Sequence, residues 1–196
     1  MTGQTLQRAE DAQEALAHVL KQGLAAEDAE AALAGVTGHV VELLGDKTAH
    51  LRPGGLKEGE RQYAVSAVVL ISPDRAHNVF LAQQNFPPEQ IDMRIAIGHG
   101  HPGAVAASGR PLLLGNTDDH ADFEQVLSTS RMGSAIYAPF HWRGQMLGQL
   151  ICGAQARYTY RPVDLDVLGA FADTACALWV AHRGPDQFPE IADPQR

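Results

Sequence analysis

The chain is poor in several things at once, and each shortage removes a class of function. It has 2 cysteines in 196 residues, Cys152 and Cys176. They lie far from any CxxC spacing and in apolar surroundings, so neither a disulfide scaffold nor a cysteine zinc site fits. Two buried small hydrophobes in a reducing compartment is the simplest reading. Basic residues are few, 15 against 23 acidic ones, for a net charge of −8. No run of Lys and Arg and no basic recognition helix occurs, which excludes a general nucleic-acid surface. Long apolar runs are missing too. The longest, 67–71, has strand length, so no membrane span is expected. The polar start, Thr2-Gly-Gln-Thr, lacks the charged-then-apolar order of a secretory signal. These features point to a cytoplasmic protein, and Met1 reads as a natural start. Gly-x-Ser-x-Gly, a Walker loop and HExxH are all absent. No kinase, cyclase or DNA-binding output is visible.

What is present is an ordinary globular composition, 45 % hydrophobic and 19 % charged, long enough for one domain with additional helices. The strongest local pattern runs from Gly133 to Gly153. Two apolar stretches flank the turn at Arg143 and Gly144, which reads as a β-hairpin with Gly144 free to take positive φ. Pro139 lacks an N–H, so it should end the first strand or occupy an edge-like point. Gly148 and Gly153 allow a close approach to the second strand.

Ahead of the hairpin, Thr5 opens a helix to about residue 22, with Gly23 as its stop signal. A second helix spans about 25–44, its stripe formed by Ala29, Ala32, Leu33, Val36, Val40, Leu43 and Leu44. Residues 46–62 read as a loop with a short strand near 49–52. Strands are expected over 63–71, 77–84, 93–97 and 111–114, with a short helix at 103–108 after the Gly98-His-Gly-His-Pro-Gly loop. Asn116-Thr-Asp-Asp-His120 is a polar loop from which Asp118 or Asp119 caps a helix to about 127. Pro162 and Asp164 open a last helix that buries Leu168, Phe171, Ala172, Ala175, Leu178 and Trp179. Residues 183–196, rich in proline and without an apolar period, read as a mobile tail. The natural solution is α+β, an antiparallel sheet flanked by helices.

In order, Gly103-Ala-Val-Ala-Ala-Ser-Gly109-Arg-Pro-Leu-Leu-Leu, Ser134-Ala-Ile-Tyr-Ala-Pro-Phe, Arg143-Gly-Gln-Met-Leu-Gly-Gln-Leu and Tyr160-Arg-Pro-Val-Asp-Leu-Asp-Val-Leu resemble a GAF domain over about residues 27–182. The resemblance implies a GAF-like, PAS-related central antiparallel sheet with the terminal helices packed on one face. It divides the chain into an N-terminal helix (1–24), the GAF domain (25–182) and the tail (183–196). Members of the family bind cyclic nucleotides, bilins, haem, nitrate or other small molecules, and many bind nothing, so the fold alone does not give the function. The terminal helices imply a homodimer, and a signal leaving through them implies a regulatory protein partner.

By the same resemblance the pocket is bounded by the 98–103 loop, the 116–122 loop and one face of the hairpin. Strand alternation gives two sets, Ala135, Tyr137, Gln149 and Ile151, or Ser134, Ile136, Leu150 and Cys152. Analogy turns the first set to the pocket and Cys152 to the helices. The candidate ligand-binding residues are then His99, His101, Gly103, Asn116, Asp118, His120, Tyr137 and Gln149. His99, His101 and His120 with Asp118, Asp119 and Asp122 allow a transition metal or an axial haem ligand, against the simpler reading of solvated loop residues and a helix cap. Backbone N–H groups at the start of the short helix suit an anion, with Gly103 permitting close approach. Tyr137 and Gln149 would place one hydroxyl and one amide in an apolar wall.

The enzymatic branch to weigh is free methionine-R-sulfoxide reductase, which resembles this chain in fold but depends on cysteines around the pocket and carboxylates on the hairpin strands. The comparable positions here look like Ala135 and Ile151, and the pocket loops carry no cysteine. Covalent bilin attachment meets the same objection. The expectation is a non-enzymatic, small-ligand-sensing GAF domain with no cofactor named. The alternatives are a ligand-free dimerisation scaffold and a haem or metal sensor through His99 or His101.

Overall fold

The computed structural model describes residues 3–120 and 132–191. Six strands form one antiparallel sheet in the order β3-β2-β1-β6-β5-β4. Their bounds are β1 Ala64–Ile71, β2 His77–Gln84, β3 Arg94–Ala96, β4 Leu112–Leu114, β5 Ser134–Trp142 and β6 Gln145–Ala154. The helices are α1 Gly3–Leu24, α2 Ala29–Leu43, α3 Gly100–Ser108, α4 Pro162–Ala181 and α5 Gly184–Ile191. The central pair β1 and β6 consists of near-continuous buried runs; α2 and α4 cover one face, with α1 packed on those two helices, and α3 lies on the other face over β6 and β5.

The two faces make two separate cores. On the helical side Val68, Leu70, Ile136, Leu150 and Cys152 pack with Leu33, Val36, Leu168, Phe171 and Trp179. On the opposite side Ala67, Val69, Phe80, Ile95, Ala135, Tyr137 and Ile151 pack with Val105 of α3. The period of two in the strands therefore assigns every side chain to a layer, and the set containing Tyr137 faces α3.

Local chemistry explains the boundaries. Asp28 caps α2 by accepting from the Ala31 amide at 2.8 Å. The hairpin turn has positive φ at both Arg143 and Gly144 (50° and 80°), which a two-residue turn between twisted strands needs. Pro139 lies inside β5 rather than at its end. It is tolerated because β4 stops opposite Tyr137, leaving β5 with a neighbour on one side only at that point. Gly148 admits the Phe140 ring and the Val69 carbonyl, both too near for a Cβ.

Three expectations are corrected. The segment near 49–52 is a 3-10 turn, Ala49–Leu51, not a strand. Gly23 lies within α1 instead of ending it, giving room to the Leu178 side chain. Residues 184–191 of the expected mobile tail form helix α5. There Phe188 is only 6 % exposed and meets Trp179 edge-on, with ring centroids 5.6 Å apart. The tail was misread because its single aromatic anchor has no apolar period around it. The expected helix to about 127, with Asp122, and residues 192–196 lie outside the described residues. Among the described residues no helix is long and apolar enough to cross a membrane.

Candidate functional site

The side of the sheet that faces α3 gathers most of the expected site. β5 supplies Tyr137 and β6 supplies Gln149, both buried. α3 crosses above them, and its first turn needs no donor from Pro102 because early helical N–H groups have no partner within the helix. Gln149 Nε2 donates to the Pro102 carbonyl oxygen at 2.9 Å. Gly103 is forced by packing: a Cβ there would sit 2.7–2.9 Å from the backbone of Gly98. The glycine serves the seating of α3 on its own entry loop.

At the rim three rings meet. His101 on α3 stacks on Tyr137 at 6.2 Å with an interplanar angle of 29°, and meets His120 edge-on at 6.1 Å. Burial pushes the Tyr137 hydroxyl far above its ordinary pKa, so it stays protonated and acts as a neutral donor or acceptor. His120 follows the 3-10 turn Thr117–Asp119, which Asn116 caps by accepting from the Asp118 amide at 3.1 Å. Thr117 fastens this turn to the foot of β5, its hydroxyl donating to the Met132 carbonyl at 2.6 Å. His99 is exposed at the N-cap of α3.

Asp118 is engaged elsewhere. Its carboxylate pairs with Arg157 Nε at 3.0 Å and with Lys57 at 2.8 Å. Arg157 is only 2 % exposed and also forks onto Glu60 through both terminal nitrogens. The hydrogen bond from Lys57 is the main reason the Asp118 carboxyl lies below its usual range; burial opposes it, and Arg157 adds to it. For Glu60 burial raises the pKa, but the hydrogen bonds from Arg157 and the Lys57 amide outweigh it and the net shift is downward. Sequence reasoning missed Arg157. The signal available was an arginine among small residues directly after a buried strand.

A second side chain missed is Asn78 on β2. It occupies the same face as Phe80, opposite Ile71 of β1 and Ile95 of β3, and is 0 % exposed. Neither its Nδ2 nor its Oδ1 has a hydrogen-bond partner, and neither does Oε1 of Gln149. The alternation of β2 could have placed Asn78 beside the site.

The two thiols lie elsewhere. Cys152 faces the helical layer, and burial pushes it up to about 12. Cys176 on α4 is raised to about 11, by burial first and then by Asp173. Among the described residues no three His, Cys, Asp or Glu side chains stand together so as to hold a metal ion.

The chain matches one family model, the GAF domain, over residues 28–178. The chain belongs to the GAF domain family. Solved structures agree on the fold. The GAF domain of a phosphoenolpyruvate-protein phosphotransferase from Coxiella burnetii superposes with a TM-score of 0.72 at 18 % identity, covering 91 % of this chain and 98 % of that one. The corresponding Acinetobacter GAF domain gives 0.68 at 12 % identity, covering 94 % and 97 %. Free methionine-R-sulfoxide reductase from Neisseria meningitidis, in complex with its substrate, gives 0.68 at 21 % identity, covering 89 % and 91 %. No curated protein matches the chain. GAF domains are general ligand-binding or regulatory modules, and the neighbours of this one include both regulatory domains and an enzyme.

Proposed function

We propose that this GAF domain is a sensor that binds a small molecule between α3 and the sheet and acts in regulation without catalysing a reaction. The observation that carries the reading is the ring cluster His120–His101–Tyr137, which joins the polar turn, α3 and the sheet at one rim. Three segments remote in sequence meet there around a protonated hydroxyl and an amide set in an apolar wall. That is the chemistry of a ligand site, with a few polar groups fixing orientation and apolar surface supplying affinity. Binding would favour one seating of α3, and a partner protein or a second copy meeting the terminal helices would read it.

Sulfoxide reduction fits poorly. It needs two electrons, and both thiols of this chain lie on the helical side of the sheet, away from α3, and are held protonated, which removes the nucleophilic thiolate. Native mass spectrometry and an absorption spectrum of the purified protein, followed by a thermal-shift screen against anions, nucleotides and neutral metabolites, test the sensor reading. A bound mass or a saturable shift, reduced by His101→Ala, is the expected result. A bare mass and a flat screen would shift the assignment to a scaffold.

A further inference from the structure

The sheet face beneath α3 carries no ionised side chain among its described residues, yet it holds three buried polar atoms without partners. Two are the amide N and O of Asn78, and the third is the amide O of Gln149. Both residues are 0 % exposed. An orphaned buried amide atom costs about 1–3 kcal/mol, so three on one face need an explanation. Helix-to-sheet packing does not require them, since Leu or Met would fill the same volumes at no such cost.

Their placement is informative. Gln149 lies beside Val69 of β1, and Asn78 lies beside Ile71 of the same strand. The two amides therefore straddle β1, two strand spacings apart and offset by one two-residue step, about 12 Å between Cα atoms. Between them the floor is Val69 and Ile71. Gln149 has already committed a donor to Pro102, so it offers an acceptor, while Asn78 offers one of each.

Resting on the sensor reading above, we propose that the ligand is a neutral, elongated molecule lying across β1. One end donates an N–H or O–H to Gln149, an apolar middle covers Val69 and Ile71, and the other end both donates to and accepts from Asn78. A dianion of the same length is rejected, because this sheet face carries no cation among the described residues and the end at Gln149 would set an acceptor against the Gln149 oxygen. Both amides are buried in the unliganded fold, so the packing over each must open for binding; α3, which lies on β5 and β6, lifts at its far end while the Gln149–Pro102 hydrogen bond keeps its first turn in place.

Succinamide and succinate share a skeleton and differ in charge, which makes them matched probes. The side-chain amide resonances of Asn78 and Gln149 in the whole protein are followed by NMR during titration with each. Saturable shifts of both with millimolar succinamide, and none with succinate, are expected. Asn78→Leu should weaken succinamide at least about tenfold while raising the melting temperature of the unliganded protein. Gln149→Met, which keeps the packing volume, should weaken it likewise. Binding of succinate alone would overturn the neutral class and leave the sensor reading standing. Contacts from both amides to long-lived water, with no displacement by succinamide, would overturn the site in favour of structural hydration. A flat response to both probes overturns it as well, and the wider ligand screen then judges the sensor reading separately. An unchanged succinamide titration in Asn78→Leu places the probe elsewhere and refutes the inference.

Discussion

Replacing Arg157 with Met is the perturbation whose consequences can be followed furthest. The guanidinium is 2 % exposed and makes three charge-assisted hydrogen bonds, two to Glu60 and one to Asp118. Each contributes about 1.5–3 kcal/mol when intact. Met fills most of the volume, so the loss is electrostatic. It leaves two carboxylates without their shared cation, but those side chains are about one-fifth exposed and can rehydrate in part. That places the net cost at the low end of the range for breaking a buried pair, about 3 kcal/mol. In a domain of this size the melting temperature should fall by roughly 6–12 °C. The pH dependence is a sharper signature. Glu60 and Asp118 both have folded-state pKa values below their unfolded ones, so their contribution is present above the unfolded value and is lost as pH falls through the folded value. Wild type should lose stability more steeply than Arg157→Met between neutral pH and pH about 3. Adding Glu60→Gln to the variant should recover part of the loss at neutral pH by removing an orphaned charge. Urea denaturation across that pH range is the assay. If Arg157→Met stays within about 0.5 kcal/mol of wild type and keeps the same acid slope, the reasoning is refuted.

Other outcomes follow from single contacts. Gly103→Ala drives a Cβ into the Gly98 backbone, which cannot yield as a side-chain tip would; a loss of about 1–3 kcal/mol in thermal denaturation is expected, and an unchanged melting temperature would contradict it. Phe188→Ala should release α5 from Trp179 and red-shift its fluorescence, while an unshifted spectrum would mean the indole is shielded without that ring. Cys152 and Cys176 should resist alkylation at pH 8 until the protein unfolds; rapid labelling of either in the native state would count against their burial and raised pKa values.

Most of the fold was legible because two periodicities carried it. The alternation in 134–154 divided the hairpin residues into two sets, the family resemblance chose the set that faces α3, and the stripe of α4 named its buried residues. The strand at 77–84 was equally plain. What escaped has a common physical cause: the interaction is made by a partner distant in sequence. Arg157 needs Glu60, 97 residues earlier, and α5 needs the flank of Trp179. For the candidate site, alternation together with the family resemblance put Tyr137 and Gln149 on the face toward α3, and the loop composition singled out His101 and His120, whose rings meet. The same composition made Asp118 look available, when three-dimensional proximity commits it to Arg157 and Lys57. Asn78 went unremarked because an amide in a strand has no local signature of being alone.

The fastenings of the two rim segments differ in kind. The turn at Thr117–Asp119 is bolted to the body of the protein by the Asp118–Arg157 ion pair, the Asp118–Lys57 pair and the Thr117 bond to Met132. By contrast, α3 is held to the sheet by the Gln149–Pro102 hydrogen bond, the His101–Tyr137 ring contact and the packing of Val105. On the proposed reading the ion-paired turn is the side that holds and α3 the side that gives. A ligand bound as proposed would move α3 against that turn, so hydrogen exchange should quicken along α3 while the turn stays protected. Such a motion would turn where α3 joins its glycine-rich entry loop, at Gly98 and Gly100, both at positive φ.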